Sequence, residues 1–533
     1  MPTLTAADLR QLESHGISRE EAERQLALLS SPPPAPRLVR PCTVGDGLRS
    51  LEPERQDLLA QRYEETLATG RAMKLVPASG AATRMFRSLT PWVEYAGNPV
   101  AAAKEMSRRA VAGDPDAGDP IRFLSELPRF PFYDELARKV AATGQDLEAL
   151  RAGGDAGAVL HALLSPEHLG YEARPKALIP FHRGPRGVRT PFEEQLVEAA
   201  GYVADASGVA RLHFTVPPEA REELEALTER ARPKLEAELG VRFEVSFSVQ
   251  SPATDTLALA LDRQSDPASD GAPFRLEDGT LLLRPGGHGA LLGNLQAIAD
   301  AGSDLVFVKN IDNVQPDRVK PEVVRWKRVL GGYLADLRRQ AFELIEELGA
   351  GVDGSLEGAE AFLVERLGFR VPGSWAELAP DERRRRFAAR LDRPLRVAGM
   401  VVNRGEPGGG PFWVEGEDGS LSAQIVERAQ VDGEDPGQVA IFESSTHFNP
   451  VDLVCALRDR EGRPYDLSRF VDERAVFIAR KSHDGRSLLA LERPGLWNGA
   501  MAGWSSAFVE VPEATFSPVK TVFDLLRKEH QEA

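Results

Sequence analysis

Residues 305–313 read LVFVKNIDN, an apolar run that ends in a polar Asn-x-Asp-Asn sequence. A short apolar run of this kind predicts a buried strand of a parallel sheet. In open α/β sheets, ligands bind beyond the carboxyl ends of the strands. Asp312 is therefore placed to hold Mg²⁺, a hard ion that prefers one or two carboxylates together with phosphate oxygens and water. The alternative is an ordinary turn, rich in Asn and Asp, at the end of a strand.

Short apolar runs alternate with helical runs on both sides of this segment. Strands are predicted at residues 73–77, 211–216, 243–249, 304–308 and 397–402. Helical patterns lie between them, for example at residues 218–239 and 289–299. This alternation predicts an α/β fold with a Rossmann-like, mixed but mainly parallel sheet and helical insertions.

The bulk composition restricts the classes of partner. The 533 residues include 65 Lys and Arg against 81 Asp and Glu, for a formal charge of −16. This balance argues against a general nucleic-acid or anionic-membrane binder, which needs a basic face. The two cysteines, Cys42 and Cys455, lie in no CxxC pair, which argues against a disulfide framework or a zinc cluster. No signal-peptide pattern or membrane-length apolar run is present, so we expect a cytoplasmic protein; its oligomeric state stays open.

A loop of small residues follows the first predicted strand, in the sequence KLVPASGAATRM at residues 74–85. Small side chains let backbone N–H groups approach phosphate oxygens closely, and a following helix adds a favourable dipole. Arg84 is suited to clamp a polyphosphate through charge-assisted hydrogen bonds. The candidate nucleotide-binding residues of this loop are Ala78, Ser79, Gly80, Ala81, Ala82 and Thr83.

Three further motifs carry candidate binding residues. In RPKALIPFH, residues 174–182, Lys176 precedes an apolar stretch and can reach a phosphate, although a surface lysine is the alternative. In RPGGHGAL, residues 284–291, the glycines around Gly287 and His288 suit a nucleobase or ribose packed on the backbone, or simply a tight strand–helix turn. In TFSPVKTVFDLL, residues 515–526, Lys520 stands immediately before a helix that alternatively serves only packing.

Together these motifs resemble, in the same order, those of the UDP-sugar pyrophosphorylase family, which includes UTP–glucose-1-phosphate uridylyltransferase. The C-terminal motif resembles the family's Phe-x-Pro-Val-Lys-Thr-x-x-Asp-Leu-Leu segment, and residues 83–85 resemble the end of its Gly-Thr-Arg-Met loop. Residues 175–176, 250–252, 285–289, 310–313, 424–431 and 441–449 resemble further family elements. The loop departs from the family at Ser79 and Ala82, where glycine is preferred. The whole sequence also closely resembles a bacterial domain-of-unknown-function family.

The resemblance implies a nucleotide-diphospho-sugar transferase type of sheet and a nucleotidyltransferase activity. A sugar 1-phosphate would attack the α-phosphorus of a nucleoside triphosphate, with UTP favoured, and pyrophosphate would leave. It implies Mg²⁺ on Asp312, charge stabilisation by Arg84 and Lys176, and the acceptor phosphate on Lys520. Base and ribose would contact Gln250, Gly287 and His288, and the acceptor would contact His447, Asn449 and Glu510. The expected partners are these small-molecule substrates, with no nucleic acid and no membrane.

Four segments are expected along the chain. They are an N-terminal helical arm and linker at residues 1–70, a nucleotide-binding half at 71–317 with a helical insertion at about 90–170, a helical insertion at 318–395, and an acceptor-binding half at 396–533. Two Gly- and Trp-rich loops, residues 404–413 and 494–501, have no counterpart in the family motifs and are suited either to an acceptor pocket or to packing.

Two other functions fit the same motifs. A glycosyltransferase that uses a nucleotide sugar would also need a metal carboxylate at a strand end, but it needs no triphosphate loop, so Arg84 and Lys176 favour nucleotidyl transfer. A non-catalytic nucleotide-sugar-binding protein would explain the altered residues Ser79 and Ala82.

Overall fold

Strands and helices alternate along most of the chain in the computed structural model, which describes residues 4–68, 71–80, 82–261, 271–406 and 408–531. The helices are α1 Ala6–Ser14, α2 Arg19–Ser30, α3 Pro53–Leu67, α4 Thr83–Phe86, α5 Pro99–Val111, α6 Asp119–Glu126, α7 Tyr133–Ala141, α8 Leu147–Ala152, α9 Ala156–Leu164, α10 Pro191–Ala200, α11 Arg221–Leu239, α12 Leu292–Asp300, α13 Lys320–Ala350, α14 Ser355–Arg366, α15 Pro380–Leu391 and α16 Pro436–Glu443.

The strands are β1 Arg37–Pro41, β2 Thr43–Val44, β3 Gly47–Arg49, β4 Ala72–Pro77, β5 His182–Gly184, β6 Gly187–Arg189, β7 Val209–Thr215, β8 Arg242–Ser248, β9 Ala258–Ala260, β10 Leu305–Lys309, β11 Phe369–Arg370, β12 Leu395–Val402, β13 Gly410–Glu415, β14 Leu421–Val426, β15 His447–Phe448, β16 Asp452–Ala456, β17 Phe477–His483, β18 Arg486–Glu492 and β19 Ser505–Glu510. The predicted strands correspond to β4, β7, β8, β10 and β12, with ends shifted by one or two residues. The predicted mixed α/β fold class is therefore confirmed.

The chain divides into two units that are each discontinuous in sequence. The first unit contains residues 1–75, 248–308 and 326–513, and the second contains residues 76–247, 309–325 and 514–533. The boundaries expected after residues 70, 317 and 395 do not coincide with these units. The units are discontinuous because strands that pair in space come from distant parts of the chain, and the four segments expected from the sequence stay a prediction.

A mixed sheet forms the centre of the first unit, with strand order β2-β3-β19-β12-β16-β10-β4. The pairs β2–β3, β3–β19, β19–β12 and β10–β4 are parallel, whereas β12–β16 is antiparallel. In the β10–β4 pair, Leu305 faces Ala72 and Val308 faces Leu75. All of β10 is buried, as expected for a parallel strand that is covered on both faces.

The N-terminal helices are part of the core of the first unit. Thr5 caps α1 in a reciprocal capping box with Asp8, and the Ser18 hydroxyl accepts the Glu21 N–H at the start of α2. The apolar cluster that the two helices enter contains Leu12, Ile17, Ala22, Leu26, Leu29, Leu257, Leu259, Leu281 and Leu491. The predicted N-terminal helical arm therefore packs into a core, because the apolar face of these helices is covered by strands from much later in the chain.

Helices dominate the second unit. Helices α5–α9, from the insertion predicted at about residues 90–170, pack into a core rich in aromatic residues, in which Phe130 stacks on Phe132 with ring centroids 5.1 Å apart. Val314, Val519 and Phe523 join the same core. The apolar packing of the insertion therefore supports the segments around residues 314 and 519, which carry candidate site residues.

Within the described residues, no helix carries an apolar stretch long enough to cross a lipid bilayer.

We predict that Leu26→Ala destabilises the protein by about 2–5 kcal/mol, because Leu26 is 1% exposed and its loss leaves a cavity between α2 and the strands. Leu58→Ala is the matched control, since Leu58 is 39% exposed and should change the free energy of unfolding by less than about 0.5 kcal/mol. Denaturant unfolding of both variants measures the difference. Equal stability of the two variants would contradict the placement of α2 in the core.

Candidate active site

The second unit brings the end of β4 next to the polar segment that follows β10. The Ile311 N–H donates to the Pro77 carbonyl at 3.3 Å, and the Ala78 N–H donates to the Thr215 carbonyl of β7 at 2.8 Å. The small-residue loop thus starts beside the carboxyl ends of neighbouring strands. This is the place at which α/β sheets bind ligands.

The small-residue loop also lies against the segment that contains Lys176. The backbone N–H of Lys176 donates to the Gly80 carbonyl at 3.3 Å, and the backbone N–H of Ala82 donates to the Arg174 carbonyl at 3.1 Å. A Cβ atom added to Gly80 would meet no other atom within 4 Å, so the backbone there faces open space. The amide of Ala82, in contrast, is already used within the chain and is not available to a phosphate.

Arg84 lies on α4, which is a single turn. Met85 and Phe86 of this turn are buried in the core of the second unit, which fixes the helix, while Arg84 is exposed and forms no ion pair with a described side chain. The Thr83 hydroxyl donates to the Glu172 carbonyl at 3.4 Å. A helix of one turn carries little of the helix dipole. The charge of Arg84 is therefore the stronger candidate for attracting an anion than the N-terminus of this helix. Ala81 lies outside the described residues.

Lys176 and Asp312 form the central contact of the site. The Lys176 Nζ lies 2.8 Å from Asp312 Oδ2, and it also donates to the Val519 carbonyl at 2.9 Å. The side chains are 11% and 23% exposed, so the pair is shielded but still reachable from solvent. The Val519 N–H in turn donates to the Asp312 carbonyl at 3.2 Å. Three segments that are far apart in sequence therefore meet at one ion pair.

Lys520 follows directly on this contact. Its backbone N–H and that of Thr521 donate to Asp524 Oδ2 at 2.8 and 2.7 Å, which completes a capping box at the start of a short 3₁₀ turn. Pro518 pairs with Asn313 as an isolated β-bridge, and the Asn313 side-chain oxygen accepts the Ser517 N–H at 3.1 Å. The exposed Lys520 side chain is thus carried by a backbone that is fixed to the Asp312 segment.

A buried polar network supports the segment at residues 309–315, and sequence reasoning did not include it. The Lys309 Nζ lies 2.6 Å from Glu198 Oε2 and 3.1 Å from Gln315 Oε1, and both charged side chains are fully buried. Gln315 donates to Asn313 Oδ1 at 3.0 Å and to the Thr515 carbonyl at 2.9 Å. Lys309 is the residue in the sequence that indicates this network, since a lysine within a strand buried on both faces needs a buried carboxylate.

This network positions backbone rather than substrate. Gln195 donates to the Asn310 carbonyl at 2.9 Å, and Tyr202 donates to Glu198 Oε1 at 3.0 Å. Helix α10 therefore holds the end of β10 from one side. Gln315 links Lys309, at the end of β10, to the C-terminal segment through Thr515. The carboxylate of Asp312 projects from a backbone that is fixed on both sides.

The predicted base and ribose residues belong to the first unit. A Cβ on Gly286 would lie 2.3 Å from the Thr254 carbonyl oxygen, and one on Gly289 would lie 2.2 Å from that of Pro494. Gly287 has a positive φ of 73°, in the left-handed region that favours glycine. Other backbone segments of the chain pack so closely against Gly286 and Gly289 that a side chain would not fit, and this packing accounts for both glycines. The assignments of Gln250, which is half-buried two residues beyond β8, and of Gly287 and His288 stay predictions.

His288 is packed between polar and aromatic neighbours. Its ring stacks on Trp497, with centroids 3.9 Å apart, and its Nδ1 accepts the Leu496 N–H at 3.0 Å. Burial lowers the pKa of His288 to about 4, so the imidazole is neutral at pH 7. Trp497, from the loop at residues 494–501, also donates to Glu427 Oε1 at 3.3 Å. Burial raises the pKa of the Glu427 carboxyl.

The predicted acceptor residues also lie in the first unit, on or next to strands. The His447 Nε2 lies 3.3 Å from Glu510 Oε1, at the end of β19. Asn449 donates to the Gly399 carbonyl at 2.8 Å and accepts the Val451 N–H at 3.1 Å. The Asn449 side chain therefore holds a turn in which Val451 has a positive φ of 57°. His447 and Glu510 form a pair, and the acceptor role of all three residues stays a prediction.

We predict that Lys309→Met destabilises the protein by about 3–5 kcal/mol, because it removes the ammonium that lies 2.6 Å from the fully buried Glu198 carboxylate. Denaturant unfolding measures this loss. The double variant Lys309→Met/Glu198→Leu should recover most of the stability, since it removes both charges. A double variant that is as unstable as the single one would show that the charge pair is not the cause.

We predict that stability falls as the pH is lowered from 6.5 to 4, partly through His288. Its pKa of about 4 in the folded state lies below the unfolded value near 6.5, so its stabilising effect is present above pH 6.5 and is lost as the pH falls toward 4. The full difference is about 3 kcal/mol. His288→Asn should flatten the dependence of the unfolding free energy on pH in this window. His15→Asn, at a partly exposed histidine of the same unit, serves as the control, and an unchanged slope in His288→Asn would contradict the assignment.

Several solved structures are similar to this chain. UDP-N-acetylglucosamine pyrophosphorylase from Trypanosoma brucei, in complex with an inhibitor, is 14% identical, with a TM-score of 0.48 and coverage of 98% of this chain and 79% of that chain. UDP-glucose pyrophosphorylase from Leishmania major is also 14% identical, with a TM-score of 0.43 and coverage of 98% and 79%. No curated protein is similar enough in sequence to match.

A family model matches nearly the whole chain. The model is described as Domain of unknown function (DUF4301), and it matches residues 5–531. All of the candidate site residues fall within this range. The chain therefore belongs to the DUF4301 family.

Proposed function

We propose that this protein is a nucleotidyltransferase that joins a nucleoside triphosphate to a sugar 1-phosphate and releases pyrophosphate. The observation that carries the proposal is the meeting of Lys176, Asp312 and the Val519–Lys520 backbone in the second unit, 2.8–2.9 Å apart at the Lys176 ammonium. The resemblance of the sequence motifs to UDP-sugar pyrophosphorylases, in the same order along the chain, supports the same reaction class.

The chemistry needs charge neutralisation and positioning more than a covalent catalyst. An oxygen of the acceptor phosphate forms a bond to the α-phosphorus. The bond from the α-phosphorus to the bridging oxygen breaks, and pyrophosphate leaves with that oxygen and its electron pair. Arg84 and Lys176 stabilise the negative charge of the triphosphate and of the leaving pyrophosphate, and Lys520 holds the acceptor phosphate.

Asp312 is the candidate ligand for Mg²⁺. One of its oxygens, Oδ2, contacts Lys176, while the side chain remains 23% exposed, so a second carboxylate oxygen is available. A single carboxylate with phosphate oxygens and water suits Mg²⁺. When bound, the ion would neutralise charge on the phosphates. The adjacent Lys176 ammonium repels a bare cation, so we expect Mg²⁺ to bind together with the triphosphate rather than before it.

A non-catalytic nucleotide-sugar-binding protein is the second candidate. The observation that favours it is the Ala82 amide, which donates to the Arg174 carbonyl and cannot also bind a phosphate. Incubation with Mg²⁺, each nucleoside triphosphate and a panel of sugar 1-phosphates separates the two functions. Release of pyrophosphate supports the transferase, whereas binding of a nucleotide sugar without turnover supports the binding protein.

We predict that Arg84→Ala, Lys176→Ala and Lys520→Ala each lower the rate of pyrophosphate release by at least about 10²-fold, since each removes a preorganised positive charge. All three side chains are exposed or partly exposed, so the variants should remain folded. Lys104→Ala, at an exposed lysine of α5 in the same unit, is the charge-matched control and should keep full activity. Near-normal turnover by Lys176→Ala or Arg84→Ala would refute the proposed roles.

A further inference from the structure

Three potential metal ligands lie together on the surface of the second unit. His161 is in the last turn of α9, and Glu167 and His168 are in the loop that follows it. The His161 Nε2 lies 3.1 Å from Glu167 Oε1, and the two histidine rings are 4.9 Å apart in an edge-to-face arrangement. One ligand atom of each residue lies within 4.8 Å of the other two.

We propose that His161, Glu167 and His168 form a binding site for a divalent transition-metal ion of the Zn²⁺ class. Zn²⁺ binds imidazole nitrogens and carboxylate oxygens at about 2.0–2.2 Å, which places neighbouring ligand atoms about 3.3 Å apart in a tetrahedral site. The contact between His161 and Glu167 already has this spacing, and the ligand nitrogen of His168, within 4.8 Å of both, needs to move closer when the ion binds. Water completes the coordination.

The backbone around the three residues is fixed, so the ligands do not have to be gathered from a flexible chain. The Ser165 N–H donates to the His161 carbonyl at 3.1 Å, and the His168 N–H donates to the Ser165 carbonyl at 3.0 Å. Leu169 and Gly170 extend this pattern with hydrogen bonds to Ala162 and Ser165 at 3.3 and 3.0 Å. A preformed site of this kind binds a metal without a large cost in conformational entropy.

The ligand set decides which ions fit. Two imidazoles and one carboxylate suit Zn²⁺, Co²⁺, Ni²⁺ or Cu²⁺, whereas Mg²⁺ and Ca²⁺ prefer oxygen ligands. No cysteine takes part, so the CxxC criterion used on the sequence does not detect the site. The site is independent of Asp312 and of the proposed function, because it uses other residues and a different class of ion.

A bound ion would also restrain the segment that carries Lys176. Beyond the loop, the Tyr171 N–H donates to the Leu163 carbonyl at 3.1 Å, and the Arg174 N–H donates to the Gly170 carbonyl at 3.2 Å. The chain then reaches Lys176 and its contact with Gly80. By joining the end of α9 to residues 167–168, the metal would disfavour opening of residues 165–176.

Isothermal titration of the full, untagged and chelator-treated protein with Zn²⁺ tests the site. We expect one equivalent of Zn²⁺ to bind, and we expect His161→Ala and His168→Ala each to weaken binding by at least about 10-fold, because each removes one of three ligands. Glu167→Gln should weaken binding as well, with almost no change in side-chain volume. His15→Ala, at a partly exposed histidine in the first unit, is the control.

Hydrogen exchange gives a readout that does not depend on catalysis. Zn²⁺ should slow exchange of the amides at residues 165–176 in the wild-type protein and leave it unchanged in His161→Ala/His168→Ala. Thermal melting of the metal-free variants checks that they fold. Absence of binding by the wild type, or equal binding by the double variant, would overturn the proposed site. Binding without slower exchange would overturn the restraint of the Lys176 segment.

Discussion

A lysine in a strand that is buried on both faces requires a carboxylate, because an unpaired ammonium in the interior costs several kcal/mol. Lys309 meets this requirement through Glu198 at 2.6 Å. The pairing fixes the end of β10 to α10, and the residues that follow, Asn310 to Asn313, leave the sheet from a defined point. The candidate active site depends on this constraint, since Asp312 lies three residues beyond Lys309.

From this anchor, the site is built by backbone hydrogen bonds more than by side-chain contacts. The Asp312 carbonyl accepts the Val519 N–H, Asn313 pairs with Pro518, and Lys176 joins both segments through its ammonium. Each candidate cation is therefore carried by a segment with little freedom of its own. Preorganisation of this kind is what charge stabilisation requires, because no energy is then spent on orienting the groups during the reaction.

Local patterns were enough to predict much of the fold, whereas the roles of the candidate site residues stay predictions. The strand predicted at residues 304–308 corresponds to β10, Leu305–Lys309, and the polar residues after it do lie at the carboxyl end of a strand. Lys176 and Asp312 were each predicted as candidate site residues, and the structure adds that their side chains contact each other. The supporting residues Gln195, Glu198 and Gln315 were not found, because a polar residue on a helix looks the same in sequence whether it faces solvent or a buried lysine.

By itself, the sequence determined the α/β class and the positions of the main strands, because periodicity and composition act over a few neighbouring residues. It also named candidate phosphate-binding residues, whose roles stay predictions. Only the tertiary structure decided that α1 and α2 enter a core and that the glycines near His288 pack against residues 254 and 494. It also decided which segments form each unit. These features arise from contacts between residues that are far apart in the sequence, and no local pattern encodes which distant segment will cover a given face.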